Sequence, residues 1–298
     1  RVAKLSCWQV RRINRALRAA GAPDNLVTTV TAPSLENTNA MMAHPKVRML
    51  VATGGPGIVK AVLSSGKKAI GAGAGNPPAV VDETADIEHA AKCIVDGASF
   101  DNNLPCTAEK EIIAVDSIAD MLKFCMIKHG AYEATATEVA ELEKLLVNGD
   151  KPRTEWVGKP AAKILEAIGV TPPPGVRLIV CEASANHPFV VHELMMPVLG
   201  LVRVPDVDAA IDLAVELEHG NRHTAVMHSL NVSKLTKMGK LIQTTIFVKN
   251  GPSYNGIGIG GEGYPTFTIA GPTGEGLTSA RSFTRKRRCV LVGDLNVR

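Results

Sequence analysis

The sequence predicts an α/β protein built on a parallel sheet, and three observations carry that expectation. Short apolar runs alternate with helix-like segments joined by short loops, the pattern of strand–helix–strand units. A glycine-rich turn, Thr53-Gly54-Gly55-Pro56-Gly57, stands between one such strand and the helix after it. The chain has 298 residues and is 45% hydrophobic, enough for a sizeable core in one large domain or two modest ones.

Taken in order, Val2 to Ala20 reads as a helix with Leu5, Trp8, Ile13 and Leu17 on one face, closed by Gly21 and Pro23. Leu26 to Val30 reads as a short buried strand and Ser34 to Met42 as a helix. Arg48 to Ala52 is an apolar strand running into the glycine turn. Ile58 to Leu63 continues as helix and Lys67 to Ile70 as strand. A helix-like segment then leads into the polar run Asp101-Asn102-Asn103-Leu104-Pro105-Cys106.

Beyond it, Glu111 to Val115 is a strand, Ser117 is expected to cap a helix to about Lys128, and Thr135 to Val147 is amphipathic. Val147 to Pro160 is polar and irregular. Val176 to Cys181 and Val198 to Val204 read as strands, and Asp206 as the N-cap of a helix to Glu218. Thr224 to His228 and Thr245 to Val248 are further strands. Gly251 to Gly276 is a glycine-rich loop, and Ser282 to Val292 alternates like an edge strand.

Composition narrows the function. A net charge of +4 from nearly balanced acids and bases gives no general pull toward nucleic acid, and 4% aromatics provide no base-stacking surface. Six cysteines lie scattered, with no CxxC pair and no Cys/His spacing for zinc, so no metal is expected. Free thiols fit a reduced, cytoplasmic setting. No run of about twenty apolar residues and no signal peptide is present, so no membrane contact is expected.

Cys106 is the foremost chemical candidate. It follows a proline in a turn-prone polar run, where a thiol can meet substrate and be held partly as thiolate. The glycines of Thr53 to Gly57 let a backbone approach a ligand, and the helix start that follows favours phosphate, although the GxGxxG fingerprint is absent. Glu193 precedes an apolar run. His223 and, less so, His187 have the titration range for proton transfer.

Read together, GAGAGNPP, DETADIEHAAKCIVDGASFDNNLPC, HPFVVHELMMP, FVKNGPSYNGIGIGGEG and TFTIAGPTGEGLTSARSFTRKRRCVL resemble, in this order and over nearly the whole chain, the aldehyde dehydrogenase superfamily. They are similar in particular to its CoA-acylating branch, the propionaldehyde and acetaldehyde dehydrogenases of propanediol- and ethanolamine-type bacterial microcompartments. The resemblance implies an aldehyde dehydrogenase-like α/β fold. Residues 1–76 would be the later part of a parallel-sheet NAD-binding domain, incomplete here. Residues 77–276 would be the catalytic domain, and 277–298 a return segment with an oligomerisation strand, in which the basic run Arg285 to Arg288 would join subunits. It implies a small aliphatic aldehyde as substrate, with NAD and coenzyme A.

The resemblance also assigns roles. Cys106 would be the nucleophile and form the thioester. Glu193, in ELMMP, would bind the nicotinamide ribose, and His223 would assist proton transfer at the CoA thiol. Thr53, Gly54, Gly55, Gly57 and Gly71 would line the cofactor site. CoA and the nicotinamide cofactor would use one overlapping cleft between that turn and the Cys106 loop. Gly71 stands where hydrolytic members carry a glutamate, six positions before Pro77; without that base the thioester would await CoA rather than water. Glu83 or Glu109 would be the substitute base in the competing reading, a hydrolytic NAD(P)-dependent aldehyde or semialdehyde dehydrogenase. A second alternative is a truncated, non-catalytic assembly subunit.

Expected partners are a homo-oligomer, dimer or tetramer, and microcompartment shell or lumen proteins, with a location in the cytoplasm or a microcompartment lumen. Arg1 is not an initiator methionine, and family members extend further on the N-terminal side. The chain is therefore expected to lack an N-terminal part, including the oxyanion-stabilising asparagine and the first strand of the cofactor domain.

Overall fold

Apolar residues at helical spacing produce a first helix, α1 (Ala3–Ala19), as expected. The computed structural model describes residues 2–149, 151–290 and 292–293. The chain divides into two units, Arg1–Ala52 with Lys60–Ile70, and Thr53–Val59 with Gly71–Arg298.

In the first unit α1 buries none of its residues, and Leu5, Trp8 and Ile13 stay close to half exposed. Ser34 caps α2 (Leu35–Ala43) by accepting the Asn37 N–H. The strands β1 (Met49–Thr53) and β2 (Lys68–Ala72) pair, with α3 (Pro56–Leu63) between them in sequence. Leu50, Ala52 and Val62 form a small core with Met42, Val47 and Ala69 around it.

The expected strand from Leu26 to Val30 does not form. Leu26 and Val30 are exposed. The Val27 backbone is instead occupied by the Asn14 side chain, which donates to Val27 O at 2.6 Å and accepts the Val27 N–H at 3.1 Å. A side chain has taken the place of a ladder.

The second unit carries β3 (Pro78–Val81), α4 (Ile87–Ser99), β4 (Glu111–Val115), α5 (Asp116–Lys128), β5 (Ala131–Ala134) and α6 (Ala136–Leu146). A small antiparallel hairpin, β6 (Val147–Asn148) with β7 (Lys151–Pro152), occupies the stretch read as irregular. Then come α7 (Ala161–Ala167), β8 (Leu178–Glu182), α8 (Pro188–Val191), β9 (Val198–Val204), α9 (Val207–Leu217), β10 (Thr224–His228), α10 (Val232–Ile242) and β11 (Ile246–Lys249). A last short pair, β12 (Ile269–Ala270) and β13 (Gly276–Leu277), closes the glycine-rich loop.

Seven of these strands make one parallel sheet in the order β11-β10-β3-β4-β9-β8-β5. Strands β3, β4 and β10 are buried at every position, which explains their unbroken apolar runs. Ile94, Ile112, Leu122 and Leu199 belong to one core layer, Ile113, Val202, Ile211 and Met227 to a second. A third cluster gathers Leu142, Ile164, Ile179 and Phe189.

Asp206 caps α9 through the Ala209 N–H, as expected, and Thr135 begins α6 with a capping box to Glu138. Ser117 is not a cap: α5 starts at Asp116 behind Val115, with no side-chain cap bond. In the tail Ala280–Phe283 is a 3-10 turn, and residues 285–290 pair with no other strand of this chain. Leu291 and residues 294–298 lie outside the described residues. A strand is defined by its pairing, and alternation alone does not make one. Among the described residues no helix is long and apolar enough to cross a membrane.

Candidate active site

Parallel sheets usually present ligands at the carboxyl ends of their strands. Here the chemically active residues gather at the opposite edge. The segments leading into four adjacent strands, β10, β3, β4 and β9, carry His223, Gly75, Cys106 with Lys110, and Glu193. Residues far apart in sequence meet because those strands are neighbours in the sheet.

The Cys106 loop is shaped by the polar residues before it. Asp101, Asn102 and Asn103 adopt positive φ angles of 47°, 53° and 64°. Asn and Asp tolerate this region better than other side chains, which accounts for the run DNN. Asn103 is buried, and its amide donates to Ala98 O at 2.8 Å and Glu109 O at 2.9 Å. Lys110 Nζ donates to Asn103 O at 2.9 Å, Asn103 Oδ1 at 2.6 Å and Pro105 O at 3.1 Å. The Lys110 N–H donates to Pro77 O, tying the loop to the start of β3.

Cys106 itself is partly exposed. Burial pushes its thiol up, with Glu193 adding to the effect, while Lys110 and a backbone N–H oppose them. The loop therefore does not by itself favour the thiolate, contrary to the sequence expectation: the thiol has lost more water than a polar loop implied. Cys93 and Cys181 lie in buried positions that push their thiols up further, Cys93 to about 11. Cys125 is buried in a core layer.

Glu193 lies close enough to feel the charges of Lys110 and Cys106. Burial raises its carboxyl, and Lys110 and the Gly75 N–H oppose the rise. Its Oε1 is buried without a partner. An unpartnered buried acceptor beside Cys106 is open to a hydroxyl or N–H donor of a ligand.

His223 is buried, with its N–H donated to Glu218 Oε1 at 2.8 Å and Nδ1 in a 2.9 Å hydrogen bond with Thr224 Oγ1. Nε2 is left without a partner. Burial, aided by the Lys110 charge, pushes the ring down to about 4, so it is neutral near pH 7 and open to a proton. Gly75 separates this histidine from Cys106. A Cβ there would stand 2.9 Å from His223 Cγ and 3.1 Å from Cys106 O.

Two more carboxyls border the site. Glu109 is fully buried, accepts the Ser253 N–H at 2.8 Å and its hydroxyl at 2.7 Å, and is pushed by burial up to about 7. Glu111 is fully buried with both oxygens unpartnered, and burial holds its carboxyl well above the usual range. With both oxygens bound to Ser253, Glu109 fits a structural tie better than a water-activating base. Glu83 is exposed. His187 is the N-cap of α8, its Nδ1 accepting the Phe189 N–H at 3.1 Å.

The glycine turn has a different character. Thr53, Gly55 and Gly57 are exposed, and the Gly54 N–H donates to Ala72 O at 3.0 Å. A Cβ at Gly55 or Gly57 would meet nothing within 4 Å. The backbone here is open to a ligand, as phosphate binding at a helix start requires. Gly71 is packed: a Cβ would lie 2.8 Å from Val59 Cγ1, and its N–H donates to Thr273 Oγ1.

Cys106, Glu193 and His223 are thus brought together, and Gly71 and the Thr53–Gly57 turn stand with β2. Sequence reasoning missed Lys110, Asn103, Glu111 and Glu218. The available signal was Glu109-Lys110-Glu111, three charges running straight into an apolar strand. Charges at such a place are buried, and buried charges are seldom idle. Among the described residues no group of three or more His, Cys, Asp or Glu is placed to hold a metal ion.

The profile of the aldehyde dehydrogenase family matches residues 1–132. A propanal dehydrogenase (CoA-propanoylating) of Citrobacter freundii is 52% identical over 275 residues, covering 92% of this chain and 60% of that protein. The crystal structure of Rhodopseudomonas palustris propionaldehyde dehydrogenase, with bound CoA and an acylated cysteine, superposes with a TM-score of 0.94 at 66% identity, over 97% of this chain and 66% of that one. A propionaldehyde dehydrogenase from the Clostridium phytofermentans fucose utilisation microcompartment gives 0.94 at 50% identity, over 97% and 67%. The chain spans about three fifths of the length of the curated propanal and acetaldehyde dehydrogenases it matches.

Proposed function

This chain belongs to the aldehyde dehydrogenase family, and from that premise we propose that it serves the oxidation of a small aliphatic aldehyde to its acyl-CoA. Propionaldehyde is the foremost substrate, acetaldehyde the next. NAD and coenzyme A are the proposed partners in the reaction.

Cys106 attacks the aldehyde carbon through its thiolate, giving a thiohemiacetal. The nicotinamide, when bound, supplies the hydride acceptor. Glu193 offers its unpartnered Oε1 to the ribose, and the backbone at Gly55 and Gly57 offers N–H groups and open space to phosphates. The thioester left on Cys106 then meets the CoA thiol. His223, neutral with a free Nε2, accepts the thiol proton, and the negative charge that develops beside it raises its basicity.

The observation that carries this reading is Gly71. It has no side chain to activate water, and Val59 fills the space in which a glutamate would begin. Acyl transfer to CoA is therefore favoured over hydrolysis. The test is NADH formation from propionaldehyde with and without CoA. Steady-state turnover is expected only with CoA; equal rates without it would overturn the reading in favour of a hydrolytic enzyme, and silence in both would favour a non-catalytic subunit.

Further parts of the proposal follow from kinship. Residues 1–76 serve as the later part of the cofactor domain, 77–276 as the catalytic domain and 277–298 as a return segment with a subunit-joining strand. A homo-oligomer is the proposed assembly, and the cytoplasm or a bacterial microcompartment lumen the proposed place, the latter supported by the microcompartment origin of one similar structure.

A further inference from the structure

We propose that Lys110 is a positioning residue for the nucleophile: its buried ammonium, held by Asn103 O, Asn103 Oδ1 and Pro105 O, locks the left-handed turn before Cys106 and places a fixed positive charge beside the thiolate. This rests on the reading of Cys106 as the nucleophile.

Three observations carry the inference. Lys110 is only 3% exposed, a position that lysine almost never takes without a specific use. All three of its N–H donors go to oxygens of the loop that presents Cys106, none of them a carboxylate. The charge is thus anchored but not neutralised by its own hydrogen-bond partners. Two of the acceptors belong to Asn103, the last of three consecutive left-handed residues, and the third is Pro105 O, one residue before the thiol. The clamp therefore grips the backbone on which Cys106 stands.

The charges around this pair are explicit. Cys106 faces Glu193, which disfavours its thiolate, and Lys110, which favours it. Lys110 faces Glu193, Cys106, Glu109 and Glu111, all of which hold its proton, while burial pushes it down to about 8. His223 is disfavoured as a cation by the same lysine. One ammonium thus acts in two directions that serve the chemistry: it favours the anion at Cys106 and keeps His223 free to accept a proton. Burial strengthens both effects by removing the water that would screen them.

The test is the pH profile of Cys106 alkylation by iodoacetamide, read by peptide mass mapping from about pH 6 to about pH 10, with circular dichroism to report folding. Lys110→Met is expected to slow Cys106 alkylation about tenfold near pH 7, where the lysine holds its proton, and the gap should close above about pH 8, where the lysine loses it. Glu193→Gln is expected to speed alkylation near pH 7, a split of opposite sign that simple loosening of the loop would not give. An unchanged or faster rate near pH 7 in folded Lys110→Met overturns the inference, and so does a change of both variants in the same direction. Should Lys110→Met fail to fold, Lys110→Arg decides. Its charge persists above pH 8, so its alkylation there should be at least as fast as that of the unaltered protein, and a slower rate overturns the inference. Failure of the underlying reading would look different: Cys106 would take no acyl group from propionyl-CoA whatever its alkylation profile.

Discussion

The Cys106 loop and the Thr53–Gly57 turn belong to the same unit and are built on opposite principles. The loop is held by buried side chains. Asn103, Lys110 and Glu109 each spend hydrogen bonds on fixing backbone, and none of the three is more than 3% exposed. The turn offers exposed backbone and, at Gly55 and Gly57, empty space. A reacting atom needs charges set in place before the reaction begins, because reorganising them during it is costly. A phosphate needs only N–H groups and room.

The largest expected effect that separates the two regions is on acid stability. His223 and His228 are both buried and pushed down to about 4, chiefly by burial. In the unfolded chain each titrates near its ordinary value of about 6.5. The unfolded state therefore binds more protons between about pH 6.5 and pH 4, so the stabilisation is complete above that window and is lost as pH falls through it. Each histidine contributes on the order of 3 kcal/mol across the window. Urea unfolding at stepped pH checks this. His228→Leu is expected to flatten the acid limb, and an unchanged limb would place the loss elsewhere. The glycine turn has no titratable side chain and adds nothing to it.

Next comes a pair of glycine substitutions. Gly75→Ala places a Cβ against His223 and the Cys106 carbonyl, and backbone cannot yield as a flexible side chain can. A loss of about 1–3 kcal/mol is expected from such crowding, together with slower acylation of Cys106. Thermal unfolding and acylation rate are the measurements; a neutral effect on both would mean that the two groups do not depend on this close approach.

The smallest effect sharpens the contrast. Gly57→Ala lies in α3 with nothing within 4 Å of the new Cβ. It is expected to raise stability by up to about 1 kcal/mol, since alanine is the better helix residue. Nicotinamide cofactor affinity should fall, because the methyl occupies space left for phosphate. Unchanged affinity by calorimetry would remove the turn from the cofactor site.

How much of this was readable from the sequence depends on how far each residue's partners lie along the chain. Strands β4, β9 and β10 were legible because burial on both faces leaves an unbroken apolar run. Strand β3 was hidden behind the glycines and prolines that precede it, and β5, Ala-Tyr-Glu-Ala, has no such run. Helix α10 went unread although Asn231 caps it. In the site, Cys106 stood out through its polar neighbours, whereas Glu193 and His223 were picked out by resemblance. Lys110 was not legible, since its meaning depends on a chain that folds back so that its side chain meets the carbonyls of Asn103 and Pro105. The rise in the Cys106 thiol was misjudged for the same reason: polar neighbours in sequence do not guarantee water in the fold.

Everything proposed for this chain turns on Cys106 being the thiol that forms the thioester. Incubating the protein with propionyl-CoA, quenching, and mapping the propionyl group by peptide mass spectrometry tests it directly. The group is expected on Cys106, with Cys93, Cys125 and Cys181 free. An acyl group on any other cysteine while Cys106 stays free would contradict it.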